Sequence, residues 1–143
     1  MKRWIERLLK RKSEPAHLAS GKWGEQQAVR LLKSKGWKMA GQRVRVGKHD
    51  ELDIVAEHEG VLVFVEVKTR KNENYGRPFS AVNKEKRKRL SRAAVTYLKK
   101  KNIKPDYIRF DVIEVIGEPA GDPPEIRHIE NAFQLGSAYK LWW

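Results

Sequence analysis

The chain has no cysteine, which rules out a disulfide framework and any thiolate metal site. Histidine is sparse. The four, at 17, 49, 58 and 128, lack the spacing of a metal-ligand set and read as surface or turn residues. Long apolar runs are missing too: the longest, VLVFV at 61–65, is far short of the ~20 residues of a membrane-spanning helix. The opening MKRWIERLLKRK is charged throughout, unlike a secretory signal. Acid is short relative to base, with eighteen Asp and Glu against thirty-one Lys and Arg, a net charge of +13. These features together lead us to expect a cytoplasmic protein with no membrane association and an anionic partner, nucleic acid first.

The positive charge is clustered. Between Lys84 and Lys104 lie ten basic residues and one acid, Glu85. Such a run is either a solvated helix face or a phosphate-binding one, and the chain-wide excess favours the second. Lys84, Lys86, Arg87, Lys88, Arg89 and Arg92 are the candidate nucleic-acid contacts, joined by Arg77 in the preceding loop.

The 143 residues read as a basic segment 1–15, a domain over 16–130 and a tail over 131–143. Residues 1–12 suit a basic amphipathic helix with Trp4, Ile5, Leu8 and Leu9 on one side, able to meet phosphate, membrane or the domain itself. A helix is expected from about Ala16 to Lys35, stopped at Gly36, with an apolar stripe through Ala28, Leu31 and Leu32. Residues 37–46 form a first strand. ELDIVAEHEGVLVFVEVKTR then reads as a hairpin turning at Gly60. The loop KNENYGRPF follows, with Tyr75, Gly76 and Arg77, and then a second helix from about Ser80 to Lys101, its inward face carrying Val82, Lys86, Leu90, Ala94 and Leu98. Pro105 closes that segment. Strands at 107–116 and 125–130 complete the order. A long helix between the third and fourth strands suits a parallel crossover, so the expected architecture is α/β, a mixed sheet flanked by helices.

The hairpin carries a geometric consequence. If Glu59 and Gly60 are its two turn residues, opposed positions sum to 119, and Asp53 faces Glu66. Lys68, two positions on, shares the face of Glu66. Two carboxylates and an ammonium then converge at the end of an apolar hairpin, and a one-residue slip would break the set. Paired carboxylates suit a hard divalent ion, Mg2+ or Mn2+, with the Val67 carbonyl as a further oxygen. Such an ion activates water and offsets charge on phosphate, and Lys68 would orient that water or stabilise the reacting phosphorus. The alternative is a structural salt bridge at a strand end. Glu25, in line with Ala28, Val29 and Leu32, is either a further metal ligand or an edge residue bonding Lys22. Lys86 either reaches substrate phosphate or snorkels at the core margin. Trp23, Trp37, Trp142 and Trp143 suit base stacking, or packing in a core or a dimer.

The ordered blocks GKWGEQQAVRLLKSKGW, ELDIVA, FVEVKTR, YGRPFSAVNKEK and RFDVIEV, over residues 19–116, resemble the YraN family of the restriction-endonuclease-like superfamily. That resemblance implies an αβββαβ core and a metal-dependent nuclease signature at Asp53, Glu66 and Lys68. It places Glu25 at the helical-carboxylate position, as in archaeal Holliday-junction resolvases. Branched or otherwise structured DNA is the substrate class implied, and paired cutting of two strands suggests a homodimer. One block departs from the family pattern, because the usual Gly-Glu-Ile-Asp here reads Asp50-Glu51-Leu52-Asp53. The rival expectation is a nucleic-acid-binding module or scaffold without turnover.

Overall fold

A computed structural model describes residues 16–72 and 82–143. The expected N-terminal helix with Trp4, Ile5, Leu8 and Leu9, and the loop residues Tyr75, Gly76 and Arg77, lie outside the described residues, as does the expected helix start at Ser80. Helix α1 spans Ala16–Ser34, and strands β1, β2 and β3 span Lys38–Val46, Asp50–His58 and Val61–Arg70. Helix α2 spans Lys84–Lys101, followed by β4 at Tyr107–Ile116 and β5 at Glu125–Phe133.

The strands form one sheet in the order β1-β2-β3-β4-β5. Only β3 and β4 pair in parallel, across the α2 crossover; the other neighbours are antiparallel. The architecture is therefore the expected α/β mixed sheet with helices, consistent with a restriction-endonuclease-like core.

The central strand explains its own apolar run. Leu62 and Phe64 join the layer under α2, whereas Val63 and Val65 join the layer under α1, and all four are at most 3 % exposed. A strand covered on both faces cannot afford alternating polar residues. Each such side chain contributes about 1.5–3 kcal/mol of burial. Helix α1 closes one face through Ala28, Val29 and Leu32, and α2 closes the other through Leu90, Ala94 and Leu98.

Local chemistry sets the element ends. Gly36, at φ 82, stops α1 in a left-handed turn in which Trp37 N–H donates to the Leu32 carbonyl. Asn83 caps α2 by accepting the Lys86 N–H, so the helix begins at Lys84, later than the Ser80 read from its periodicity. Its end is set by Asn102 at φ 50, three residues before Pro105. Strand β5 runs on to Phe133, beyond the expected limit at 130, because Asn131 sits at φ 51 in a bulge and the pairing resumes at Phe110–Phe133.

The β2–β3 turn is the predicted one. Glu59 and Gly60 both have positive φ, 50 and 79, as a type I′ turn demands. The rungs His58–Val61 through Ile54–Val65 follow the expected register. Pairing then stops one step short of Asp53 and Glu66. Leu52 and Val55 both join the α2-side layer, while Ile54 and Ala56 lie on the α1 side. Face alternation therefore breaks at Asp53, where the two strands part and leave room for side chains.

Candidate metal and nucleic-acid site

Asp53 and Glu66 come together in the gap where β2 and β3 separate. Their carboxyl groups lie within hydrogen-bonding reach of each other, and Val67 N–H donates to Asp53 Oδ2 at 2.9 Å. Glu66 is buried, at 6 % exposure, and Asp53 is partly buried. Burial and the facing Glu66 charge push the Asp53 carboxyl up to about 8, against the opposing pull of the Val67 N–H. Asp53 therefore resists ionising near neutral pH unless a further positive charge arrives.

Two lysines reach this pair. Lys68 Nζ stands 3.2 Å and Lys86 Nζ 3.0 Å from the same atom, Glu66 Oε1. Lys68 comes from β3 and Lys86 from the first turn of α2, so crossover and hairpin meet at one carboxylate. Lys86, read as a phosphate contact or a snorkelling lysine, here pairs its ammonium with Glu66, with the side chain only 26 % exposed.

Glu25 approaches from α1. It lines the same cleft as Asp53, Glu66, Val67 and Lys68, a hollow of about 830 Å³, and its charge contributes to raising Asp53. Its carboxylate is engaged by Arg43 of β1, whose guanidinium donates to Glu25 Oε2. A second hollow of about 200 Å³ lies against Asp53, Glu66 and Lys86 and is bordered by Asp50 and Arg89, so the acidic pair is approached from two sides. His49 also borders that hollow, in an exposed position.

The donor chemistry fits a hard divalent ion. Among the described residues no group of three or more His, Cys, Asp or Glu side chains is gathered to hold a metal. Two are gathered, Asp53 and Glu66, and magnesium typically takes one or two carboxylates and completes its shell with water and phosphate oxygens. The like-charge strain between them is the kind that a divalent cation removes.

The basic residues expected to meet nucleic acid divide. Lys84, Lys88 and Arg89 are exposed on α2, and Arg89 borders the second hollow. Arg92 is instead clasped by Asp50 through two hydrogen bonds of 2.8 Å. Arg87 lies over the Phe133 ring and donates to the Val82 carbonyl. Arg77 lies outside the described residues.

These geometries can be set beside known proteins. The sequence profile of the uncharacterised protein family UPF0102 matches residues 24–115. The chain belongs to this family. It is 43 % identical over 113 residues to a UPF0102 protein of Symbiobacterium thermophilum, covering 79 % of this chain and 94 % of that one. It is 41 % identical over 120 residues to a UPF0102 protein of Syntrophotalea carbinolica, covering 82 % and 94 %. The resemblance to the YraN family is thereby borne out. The stretch matched to UPF0102 contains Glu25, Asp53, Glu66, Lys68 and Lys86. The family description carries no activity. No helix among the described residues is long and apolar enough to cross a membrane.

Sequence reasoning missed one polar cluster. His128, expected at the surface, has a side chain only 4 % exposed and bonds Asp111 Oδ2 at 2.7 Å. Asp111 is fully buried and also takes Arg109 in a bidentate pair and the Asn131 N–H. Lys35 Nζ reaches His128 Nδ1 at 2.8 Å. Only Arg109 and Asp111, two positions apart on one strand face, signal this cluster in the sequence; His128, Asn131 and Lys35 come from distant positions.

Proposed function

We propose that the protein is a magnesium- or manganese-dependent endonuclease that hydrolyses DNA phosphodiester bonds, with structured or branched DNA as its substrate class. The observation that carries this reading is the facing Asp53–Glu66 pair, with two lysine ammonium groups on Glu66 and the Asp53 carboxyl driven up by burial and its neighbour's charge. A purely structural ion pair has no need of the second carboxylate. Perturbed, opposed carboxyl groups in an open cleft are a recognised mark of function.

Asp53 and Glu66 would hold the metal, with the Val67 carbonyl, Glu25 or water completing its shell. When bound, the ion lowers the pKa of water and offsets charge developing on phosphate. The chain supplies the rest. Val67 N–H fixes the Asp53 rotamer. Lys68 and Lys86 sit where an ammonium can pass from Glu66 to a phosphate oxygen, orienting the attacking water or stabilising the anionic phosphorus centre. Lys84, Lys88 and Arg89 extend positive charge along α2 for the flanking backbone. Arg43 positions Glu25. Cutting both strands of a duplex would require two such sites, as in a homodimer.

A second reading rests on one specific observation: both ammonium groups address Glu66 Oε1, so that carboxylate is already compensated without metal. On that reading the domain binds nucleic acid and does not cut it. A labelled panel of duplex, single-stranded, flap and four-way-junction DNA, incubated with Mg2+, Mn2+ or chelator, separates the two. The nuclease reading requires metal-dependent cutting that falls by about 10²–10³-fold in Asp53→Ala. Tight binding with no cutting of any substrate under any metal would leave the binder.

A further inference from the structure

The four tryptophans among the described residues fall into two groups. Trp37 is 5 % exposed and Trp23 packs against the same buried layer, so both serve the core. Trp142 and Trp143 stand 39 % and 40 % exposed, as an edge-to-face pair with ring centroids 4.7 Å apart. The tail that carries them is anchored. Gly136 N–H donates to the buried Ser91 hydroxyl of α2 at 3.0 Å, and Leu135 and Leu141 pack against the core. Trp143 Nε1–H donates to the Pro105 carbonyl at 3.2 Å. The pair is thus held in place while much of its ring surface stays open.

Its surroundings are cationic. Lys99 Nζ lies 5.8 Å from the Trp142 ring centroid. Lys100, Lys101 and Lys104 are exposed, and the one acid from Lys99 to Phe110 is Asp106. No basic residue lies between Arg92 and Lys99, so those of α2 divide into an N-terminal group that includes Lys86 on Glu66 and a C-terminal group that includes Lys99 on Trp142. Lys86 and Lys99 are thirteen residues apart, about 20 Å along the helix.

From this arrangement we infer that Trp142 and Trp143, with Lys99 against the Trp142 ring and the exposed Lys100, Lys101 and Lys104 on the adjoining segment, form a platform for an unpaired DNA strand, separate from the Asp53–Glu66 site. Indole faces stack on any base and lysines follow the phosphates, so such a surface prefers single strands without reading sequence. A second copy of the chain fits less well. A two-fold contact through this patch would bring the lysines of both copies together, and like charges facing each other oppose association. The platform shares the nucleic-acid reading given above but depends on binding, not on cutting. It narrows the substrate to DNA with a single-stranded arm.

The test uses the full chain in chelator, with fluorescein-labelled thymidine 20-mer and a blunt 20-base-pair duplex, read by anisotropy. Trp142→Ala/Trp143→Ala should weaken the single strand about tenfold and the duplex less than twofold, and Trp142→Phe/Trp143→Phe should keep most of the single-strand affinity. Loss of affinity in the Phe variant too, equal loss for both DNAs, or no loss at all overturns the platform. So does a shift in sedimentation between oligomeric states with unchanged DNA binding, which would assign the patch to self-association. Tryptophan-dependent sedimentation with phosphatidylserine vesicles, without single-strand binding, would overturn it in favour of a lipid surface. Because no cutting is measured, an inactive Asp53–Glu66 site leaves the result readable. Conversely, a chain that cuts duplex DNA but shows no tryptophan-dependent binding loses the platform alone.

Discussion

Two aspartates removed from solvent, Asp53 and Asp111, meet opposite environments. Burial raises both. At Asp111 the hydrogen bonds from His128, Arg109 and the Asn131 N–H outweigh it, and the carboxyl ends below its ordinary value. At Asp53 the principal neighbour is another carboxylate, Glu66, and the one opposing hydrogen bond comes from Val67, so the carboxyl ends near 8. Asp111 is a charge fully accommodated by its fold, pinning β4 to β5. Asp53 is a charge the fold leaves in conflict. A fold retains such conflict readily where a ligand resolves it, and this contrast is what makes the β2–β3 gap the candidate site.

The sharpest way to break the comparison is to remove each carboxylate in turn. Asp111→Ala strands Arg109, His128 and the Asn131 N–H, and should cost about 3–5 kcal/mol in urea unfolding. Asp53→Asn keeps an acceptor for the Val67 N–H and removes the repulsion. In chelator it should stabilise the domain by an amount approaching ~5 kcal/mol at pH 8.5, on the order of ten degrees or more in Tm. Equal losses from both substitutions would show Asp53 to be a structural residue like Asp111.

Their pH dependence should also run in opposite directions. The folded-state pKa of Asp53 is raised, so between its ordinary value near 3.8 and about 8 the folded chain keeps a proton that the unfolded chain releases. Stability should therefore fall as pH climbs through that window. Asp53→Asn should flatten this decline in chelator, with the gain small at pH 5 and full above pH 8. The folded-state pKa of Asp111 is lowered, so its contribution is present above its ordinary value and is lost as pH falls through the folded one. Wild-type melting curves at pH 3 to 9 beside Asp53→Asn and Asp111→Ala measure both slopes. Parallel curves for wild type and Asp53→Asn would remove the claim that the carboxyl is strained.

The sequence disclosed the site better than it disclosed the satisfied cluster, for a physical reason. Asp53 and Glu66 lie on one hairpin, whose period and two-residue turn determine their register from numbering alone. Even so, the break in alternation between Leu52 and Val55 was not legible, and it is what opens the space between β2 and β3. Lys86 could be placed on an inward helix face, yet its partner could not be named, because the docking of α2 depends on tertiary packing. Asp111, Arg109, His128 and Lys35 come from β4, β5 and the end of α1. The strand period links Arg109 to Asp111, but no local period links that pair to His128 or Lys35. The bulge at Asn131 concealed the end of β5 in the same way, since an Asn in the left-handed region reads as a turn.

A third aspartate extends the contrast at its weakest end. Asp50 stands where the family resemblance leads one to expect glycine, and its carboxylate is held below its ordinary value by the hydrogen-bonded Arg92 guanidinium. This pair is at the surface, where ion pairs add little to stability and are screened by salt. Asp50→Gly should leave Tm almost unchanged. Its visible effect belongs to binding: it frees Arg92 beside the cleft and removes one negative charge from the approach to Asp53 and Glu66. Duplex affinity should rise about threefold at low ionic strength, with the gain vanishing as salt is added. A marked loss of stability would instead make Asp50 a small counterpart of Asp111. An affinity gain that persists in high salt would mean that Asp50 blocks the cleft by its shape, not its charge.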